Sequence, residues 1–320
     1  MSEALLSVRK LCVNYEVHQN KKWFWSKPQI LQAVNDISFD LKPGETVGIV
    51  GESGCGKSTL VRSICGLVPP ASGEVELIGK PIDYQQRVSL RAARRQMQMI
   101  FQDPIASLNP RMTVKEIVTE PLKLAGIDGD HSSLVKEILD RVGIVESHLN
   151  RYAHEFSGGQ CQRIGIARAL VTKPRLLICD EPVSALDVSI QAQVINLLQE
   201  LQAEMGLALI FVAHDLGVVR HIADRILVMY LGGMMEYGDA DTVVDTPGHP
   251  YSEALLSAVP VPDPRSRLTP QLLQGELPSP LNPPTGCLFS KRCPKQQPEC
   301  HQHRPEIRNV SGHQIACQLV

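Results

Sequence analysis

A glycine-rich run at residues 51–58 constrains the fold of this chain more than any other feature. It reads Gly-Glu-Ser-Gly-Cys-Gly-Lys-Ser and fits the pattern G-x-x-x-x-G-K-[ST]. A short apolar run at 46–50 precedes it, and a helical pattern follows it. Glycines let the backbone curl so that its N–H groups point at an anion, and the N-terminus of a following helix adds partial positive charge. The run therefore predicts a strand, a phosphate-binding loop and a helix, in that order.

Two side chains of this loop carry the predicted chemistry. Lys57 is expected to reach the β- and γ-phosphates of ATP, and the Ser58 hydroxyl is expected to bind Mg²⁺. The residues predicted to contact the nucleotide in this segment are Gly51, Glu52, Ser53, Gly54, Cys55, Gly56, Lys57, Ser58 and Thr59.

An acidic pair, Asp180 and Glu181, ends the apolar run at 176–179. Two carboxylates at the edge of a buried strand are costly unless they serve a cation or a reacting group. We expect Asp180 to hold Mg²⁺ through its water shell and Glu181 to polarise the attacking water, a role worth roughly 10²–10⁴-fold in rate. Phosphoryl transfer needs mainly positioning and charge stabilisation, so few other groups are required.

A second glycine-rich turn follows about a hundred residues after the first and opens onto a helical pattern. It reads Ser-Gly-Gly-Gln at 157–160. Together with the loop and the acidic pair, it resembles the signature of the ATP-binding cassette, the motor subunit of ABC transporters. The resemblance implies that two cassettes face head to tail, so that each signature turn caps the ATP bound by the other. The residues assigned to this cap are Ser157, Gly158, Gly159, Gln160 and Asp187.

The same resemblance implies roles for three residues outside these motifs. Gln102 matches the glutamine that reaches Mg²⁺ and water, which makes Ser58, Gln102 and Asp180 the expected magnesium ligands. His214 matches the histidine that contacts the γ-phosphate and orients Glu181, although a lone histidine is more often structural. Tyr15 matches the aromatic residue that stacks on adenine, although tyrosines are common in strands.

Strands alternate with helices along most of the chain, which favours an α/β fold with a covered parallel sheet. The resemblance implies an ABC-type P-loop ATPase core at 1–259, with an antiparallel β subdomain and an inserted α-helical subdomain at about 103–160. From residue 260 the sequence becomes rich in proline and then in cysteine. Residues 260–320 are therefore expected to form a stiff linker and a small Cys-rich C-terminal domain.

The resemblance narrows to the ATPases of oligopeptide and dipeptide importers. Residues 102–113, 249–260 and 286–294 are similar to segments of these proteins, and an insert with Trp23-Phe24-Trp25 resembles the F-type subunit of their ATPase pair. The implied partners are a second homologous ATPase in a heterodimer, two transmembrane permease subunits and a periplasmic or extracellular peptide-binding protein. Importers of nickel and glutathione in the same subfamily remain alternatives. A soluble ABC ATPase is a less favoured alternative. It predicts two cassettes in one chain or a long coiled-coil insertion, and the sequence has neither.

Composition sets limits on partners and location. The formal net charge of −2 gives no electrostatic reason to expect nucleic acid as a partner. The N-terminus has no signal-peptide pattern, and the apolar runs fall short of the ~20 residues that span a bilayer. We therefore expect a peripheral protein at the cytoplasmic face of the inner membrane, held there by its partners.

Four of the nine cysteines crowd the C-terminal tail: Cys287, Cys293, Cys300 and Cys317. In a reducing compartment such a group suggests a metal before a disulfide. Gaps of five, six and sixteen residues lack the close C-x₂₋₄-C pairs of most zinc sites, whereas an iron–sulfur cluster tolerates wider spacing. Similar tails in the subfamily imply a [4Fe–4S] cluster. Zinc, with His301 and His303 nearby, and unliganded thiols or a disulfide stay open as alternatives.

Overall fold

The computed structural model describes residues 4–17, 28–258, 273, 275, 278–310 and 312–320. The aromatic triplet at 23–25 lies outside the described residues. So does most of the predicted proline-rich linker, at 259–272. The strands are β1 (Leu6–Val17), β2 (Gln29–Leu41), β3 (Thr46–Val50), β4 (Ser72–Leu77), β5 (Lys80–Pro81), β6 (Met97–Ile100), β7 (Leu176–Asp180), β8 (Ala208–Val212), β9 (Arg225–Tyr230), β10 (Gly233–Asp239), β11 (Arg308–Val310) and β12 (His313–Ile315). The α-helices are α1 (Lys57–Ile64), α2 (Arg87–Gln96), α3 (Val114–Ala125), α4 (His131–Arg141), α5 (Gly158–Leu170), α6 (Val188–Met205), α7 (Leu216–Ile222), α8 (Ala240–Asp245) and α9 (Pro250–Ser257).

A mixed eight-stranded sheet lies at the centre, in the order β11-β12-β10-β9-β3-β8-β7-β6. Its neighbours from β9 to β6 are parallel. Every residue of β3, β7 and β8 is buried, as expected for apolar parallel strands that are covered on both faces. Because these strands run the same way, the segments that follow β3, β6, β7 and β8 meet at one edge of the sheet. The phosphate loop, Gln102, Glu181 and His214 follow these strands, and Asp180 is the last residue of β7.

A second, antiparallel sheet has the order β2-β1-β4-β5. Its inner face packs on α1 and on one face of the central sheet through an apolar cluster that includes Leu6, Val34 and Leu60. This packing brings Tyr15 on β1 and Ala33 on β2 to the loop between β3 and α1.

The predicted helical block at 114–153 contains α3 and α4 and two short 3₁₀ turns, Glu146–His148 and Ala153–Glu155. Thr113 and Glu116 form a reciprocal capping box at the start of α3, which fixes where this helix begins. The next helix, α5, begins at Gly158, earlier than the start at Ile164 that the apolar pattern predicts. The reason is a second capping box, between Ser157 and Gln160. Within the described ranges, no helix is long and apolar enough to cross a membrane.

The C-terminal tail joins the central sheet. Strands β11 and β12 form a hairpin, and β12 pairs antiparallel with β10, with Glu236 opposite Ile315. The carboxylate of Glu236 is fully buried there and accepts hydrogen bonds from the N–H groups of Gly248 and His249. The domain division at residue 259 stays a prediction, but strands on both sides of it belong to one sheet.

Candidate active site

The last residue of the loop after β3, Gly56, has a backbone conformation and a close contact that only glycine accommodates. Gly56 caps α1 with φ 106° and ψ 0°, in the left-handed region. A Cβ at this position would lie 2.1 Å from the carbonyl oxygen of Ala33. The loop and β2 are therefore in direct backbone contact, and the N-terminus of α1 faces the space beside them.

Lys57 is 4% exposed and is held by its own loop. Its Nζ donates to the carbonyl oxygens of Gly51, at 2.7 Å, and Glu52, at 3.1 Å. The same nitrogen lies 4.0 Å from Oε1 of Glu181. These contacts fix the ammonium group between the loop and the end of β7, where it can meet a phosphate.

Asp180 ends β7 with its side chain fully buried. Its Oδ1 accepts a hydrogen bond from the Ser58 hydroxyl at 2.7 Å, and its Oδ2 accepts one from Arg62 at 3.3 Å. The Arg62 partner offsets part of the cost of burying this carboxylate. A hydroxyl and a carboxylate in contact form an oxygen donor set of the kind that Mg²⁺ prefers.

Glu181 follows with φ 49°, a conformation that side-chain-bearing residues seldom adopt. Its N–H donates to the Val212 carbonyl oxygen at 3.0 Å, which holds the residue against the end of β8. Its Oε2 accepts a hydrogen bond from Gln102 at 2.8 Å. Such a conformation costs on the order of 1–3 kcal/mol and concentrates at functional sites.

These residues surround a cavity of about 300 Å³. The predicted nucleotide and catalytic residues that line it are Tyr15, Ser53, Gly54, Gly56, Lys57, Ser58, Thr59, Gln102 and Glu181. Pro280 of the tail also lines it, at a position that no sequence motif predicts. A larger cavity of about 480 Å³ lies beside α4 and the end of α6 and touches none of the predicted site residues.

His214 lies two residues beyond Val212, which is the register partner of Asp180. Its side chain is exposed, and no hydrogen bond reaches it from the described part of the chain. The structure thus brings the backbone of His214 to the correct edge of the sheet without joining its ring to Glu181. Its role as the γ-phosphate histidine stays a prediction.

The signature turn lies apart from this cavity: residues 157–160, all of them described, do not line it. Ser157 caps α5, and a Cβ at Gly159 would come within 2.7 Å of the Ile190 side chain. The turn therefore packs directly on the start of α6. Asp187 precedes that helix, is exposed and makes no side-chain cap.

The four tail cysteines are all described, and all are free thiols. The N–H of Cys287 donates to the Cys300 carbonyl oxygen, which ties two segments of the tail together. Across the described residues, however, no three Cys, His, Asp or Glu side chains are placed to hold a metal ion. The structure therefore does not support the predicted [4Fe–4S] cluster or the zinc alternative.

Sequence reasoning missed a contact between the tail and the phosphate loop. Arg292 pairs with Glu52, and the Tyr251 hydroxyl accepts a hydrogen bond from the Glu52 N–H. No local pattern relates these residues, because Glu52 and Arg292 are 240 positions apart.

Comparison with known proteins identifies the family. Residues 34–184 match the ABC transporter family model, and residues 235–300 match the model for the C-terminal region of oligopeptide/dipeptide transporters. The oligopeptide transport ATP-binding protein OppF of Escherichia coli K12 is 55% identical over 323 residues, 99% of this chain and 97% of the relative. The chain belongs to the family of oligopeptide transport ATP-binding proteins. OppF of Salmonella typhimurium LT2 is also 55% identical, over 99% of this chain and 97% of its own length.

A solved structure confirms the fold that this family membership implies. The ATP-binding cassette MJ0796, described as a dimer in a post-hydrolysis state bound to ADP and Pi, is 28% identical with a TM-score of 0.65. The alignment covers 73% of this chain and 98% of that one. The predicted ABC ATPase fold, with its antiparallel and mixed sheets, is thus confirmed for the oligopeptide transport family member described here.

Proposed function

We propose that this chain is the ATP-hydrolysing subunit of an ABC importer that drives the uptake of oligopeptides or dipeptides across the cytoplasmic membrane. The observation that carries the proposal is one cavity at which the Lys57 ammonium, the Ser58–Asp180 pair and the Gln102–Glu181 pair converge. The family membership supplies the transport reaction. An importer of nickel or glutathione is the alternative within the same subfamily.

The residues of the cavity divide the work of hydrolysis. Lys57 and the N-terminus of α1 bind the phosphates of ATP, and Tyr15, which lines the cavity, is proposed to stack on the adenine. Ser58, Gln102 and Asp180 are the residues that would hold Mg²⁺, which when bound neutralises charge on the phosphate oxygens. Glu181 orients the attacking water and takes up its proton. Its hydrogen bond from Gln102 keeps the carboxylate at the cavity.

We further propose that two cassettes close around ATP. Ser157, Gly158, Gly159, Gln160 and Asp187 lie outside the cavity of their own chain, which fits a cap for the site of a neighbour. The relative MJ0796 is described as dimeric. In this chain we expect the neighbour to be a second homologous ATPase, and therefore a heterodimer.

The membrane subunits are proposed to contact the segment after β6. Leu108 anchors this segment in the core, whereas Ile105 is 57% exposed beside it. Asp103 caps the N–H groups of Ile105 and Ala106, which fixes the shape of the exposed turn. Two permease subunits with a peptide-binding protein outside the membrane complete the importer. They would place this chain peripherally, at the cytoplasmic face of the inner membrane.

A metal cluster in the tail is not part of the proposal, because the cysteines are not arranged as ligands. Analysis of anaerobically purified chain for iron and sulfide tests this point. We expect well below one iron per chain. About four iron and four sulfide would restore the cluster.

Peptide uptake into membrane vesicles tests the proposed function. The complete importer is compared with importers that carry Glu181→Gln or, as a matched control, Glu200→Gln on the exposed face of α6. We expect ATP-dependent uptake of labelled peptides in the wild type and in the control, and none with Glu181→Gln. Uptake that is unaffected by Glu181→Gln would refute the proposal, and uptake of nickel or glutathione in place of peptides would favour the alternative.

A further inference from the structure

The C-terminal tail makes an ion pair with the phosphate loop. Arg292 lies at the end of a 3₁₀ turn, Ser290–Arg292, and its Nη1 and Nη2 donate to Oε2 and Oε1 of Glu52 at 2.6 Å and 3.0 Å. Two parallel hydrogen bonds of this kind are the strong form of an Arg–carboxylate contact. Arg292 is 8% exposed and Glu52 is 28% exposed, so solvent screens the pair only in part.

Aromatic side chains hold the arginine in place. The guanidinium lies 5.9 Å from the ring centroid of Tyr230, and its Nη1 donates to the Tyr230 hydroxyl at 3.4 Å. Tyr230, Tyr251 and Phe289 pack together with ring centroids 4.8–5.4 Å apart. Phe289 belongs to the tail and Tyr251 to α9, so both elements position the Glu52 contact.

Glu52 also contacts Lys57, the phosphate-binding lysine, through its own backbone. The Glu52 carbonyl oxygen accepts a hydrogen bond from Lys57 Nζ, while the Glu52 N–H donates to the Tyr251 hydroxyl at 2.9 Å. The next two residues, Ser53 and Gly54, line the nucleotide cavity. One residue of the loop, Glu52, thus connects the tail and α9 to the group that binds phosphate.

The charge of Glu52 makes this connection matter for binding. A carboxylate next to a triphosphate repels it, and the repulsion grows where the local dielectric constant is low. The Arg292 guanidinium cancels that charge at hydrogen-bond distance. Glu52 does not line the cavity itself but directly precedes Ser53 and Gly54, which do, so without Arg292 an unpaired negative charge would lie next to the phosphate-binding part of the loop.

We propose that Arg292 is a positioning residue for the nucleotide site. It neutralises Glu52 and fixes the first turn of the phosphate loop, so the C-terminal tail contributes directly to ATP affinity. The inference rests on the nucleotide site of the proposed function and is independent of the transported substrate.

Calorimetric titration of full-length variants with ATP and Mg²⁺ tests the inference. Arg292→Gln should weaken ATP binding about ten-fold, because the Glu52 charge is then unpaired. The double variant Glu52→Gln/Arg292→Gln should recover most of the lost affinity, since the backbone contacts of residue 52 are kept and no charge is left to repel the phosphates. The matched control is Lys295→Gln, which breaks a different ion pair of the tail, with Glu253 at 2.8 Å, and should leave the affinity unchanged.

The outcomes separate electrostatics from simple loosening of the tail. If Lys295→Gln weakens binding as much as Arg292→Gln, or if the double variant stays as weak as Arg292→Gln, the inference is wrong. It is also wrong if Arg292→Gln binds ATP like the wild type. Should the wild-type chain itself fail to bind ATP, the proposed function fails and takes the inference with it.

Discussion

Replacing Gly56 by alanine should damage the chain far more than the same change at Gly54, although both residues belong to one loop and both have positive φ. At Gly56 the angle is 106°, and the new Cβ would meet the Ala33 carbonyl oxygen at 2.1 Å. At Gly54 the angle is 78°, and no atom lies within 4 Å of the new Cβ. The two variants therefore share a conformational cost and differ in a steric one.

The magnitudes follow from these two contributions. A left-handed alanine costs roughly 1–2 kcal/mol, which is all that we expect for Gly54→Ala. Gly56→Ala adds a backbone clash that has to be relieved by moving the loop away from β2, at a further ~1–3 kcal/mol. The total for Gly56→Ala is then about 4 kcal/mol, a large part of the stability of an ordinary domain.

Urea denaturation of the two full-length variants and the wild type measures these values directly. Because both positions line the nucleotide cavity, the measurement is made without nucleotide, so that stability is separated from binding. We expect the free energy of unfolding to fall about 1–3 kcal/mol further for Gly56→Ala than for Gly54→Ala. Equal losses in the two variants would refute the steric argument and the close contact between the loop and β2.

Three further predictions concern the site and its surroundings. Lys57→Ala should weaken ATP binding at least ten-fold in calorimetric titration, because the ammonium held between the loop and Glu181 is lost; unchanged binding would contradict its assignment. Burial lowers the pKa of His249 from 6.5 to about 4. Below pH 6.5 the unfolded chain therefore binds a proton at this residue, whereas the folded chain binds it only near pH 4. Stability from this residue is thus present at neutral pH and is lost as the pH falls, by about 2 kcal/mol between pH 7 and pH 5 in urea denaturation, and His249→Asn should remove that part of the pH dependence; an equal loss in the variant would contradict it. A cysteine at Ile105 should cross-link to a cysteine in a cytoplasmic helix of a permease subunit, as seen by a shift on a non-reducing gel, whereas one at the exposed Val145 should not; failure at every permease position tried would reject this contact.

The sequence predicted the parts of the site that local motifs encode. The loop at 51–58 follows a mainly apolar strand, the pair Asp180–Glu181 stands at the end of another, and the carboxyl ends of parallel strands lie at one edge of the sheet. Continuous apolar runs sufficed to predict β3 and β7, because every residue of these strands is buried. The apolar pattern predicted the start of α5 too late. Gly158 and Gly159 lack apolar side chains, but they already belong to the helix that Ser157 caps.

The contacts of the tail were beyond prediction from local pattern. Strand β12 is short. Glu236 of β10 and His313 of β12 form a buried contact, although polar residues of these types are usually found at the surface. In the sequence, Arg292 looks like an ordinary basic residue of a polar loop. Only in the folded chain do Tyr230 and Phe289 pack so that Arg292 contacts Glu52. Cysteine spacing suggested a cluster, but spacing in the sequence does not determine whether the thiols lie close together in the folded chain. Such features depend on tertiary packing between distant segments.

ATP turnover at this chain's own site is the most direct test of the account. The chain is assembled with its partner ATPase and the permease subunits, the partner's site is disabled, and Glu181→Gln is compared with the wild type. We expect Glu181→Gln to bind ATP with wild-type affinity and to hydrolyse it at least ~100-fold more slowly, because the water is no longer activated. Wild-type turnover by Glu181→Gln would contradict the assignment of Glu181 and, with it, the chemistry proposed for the cavity.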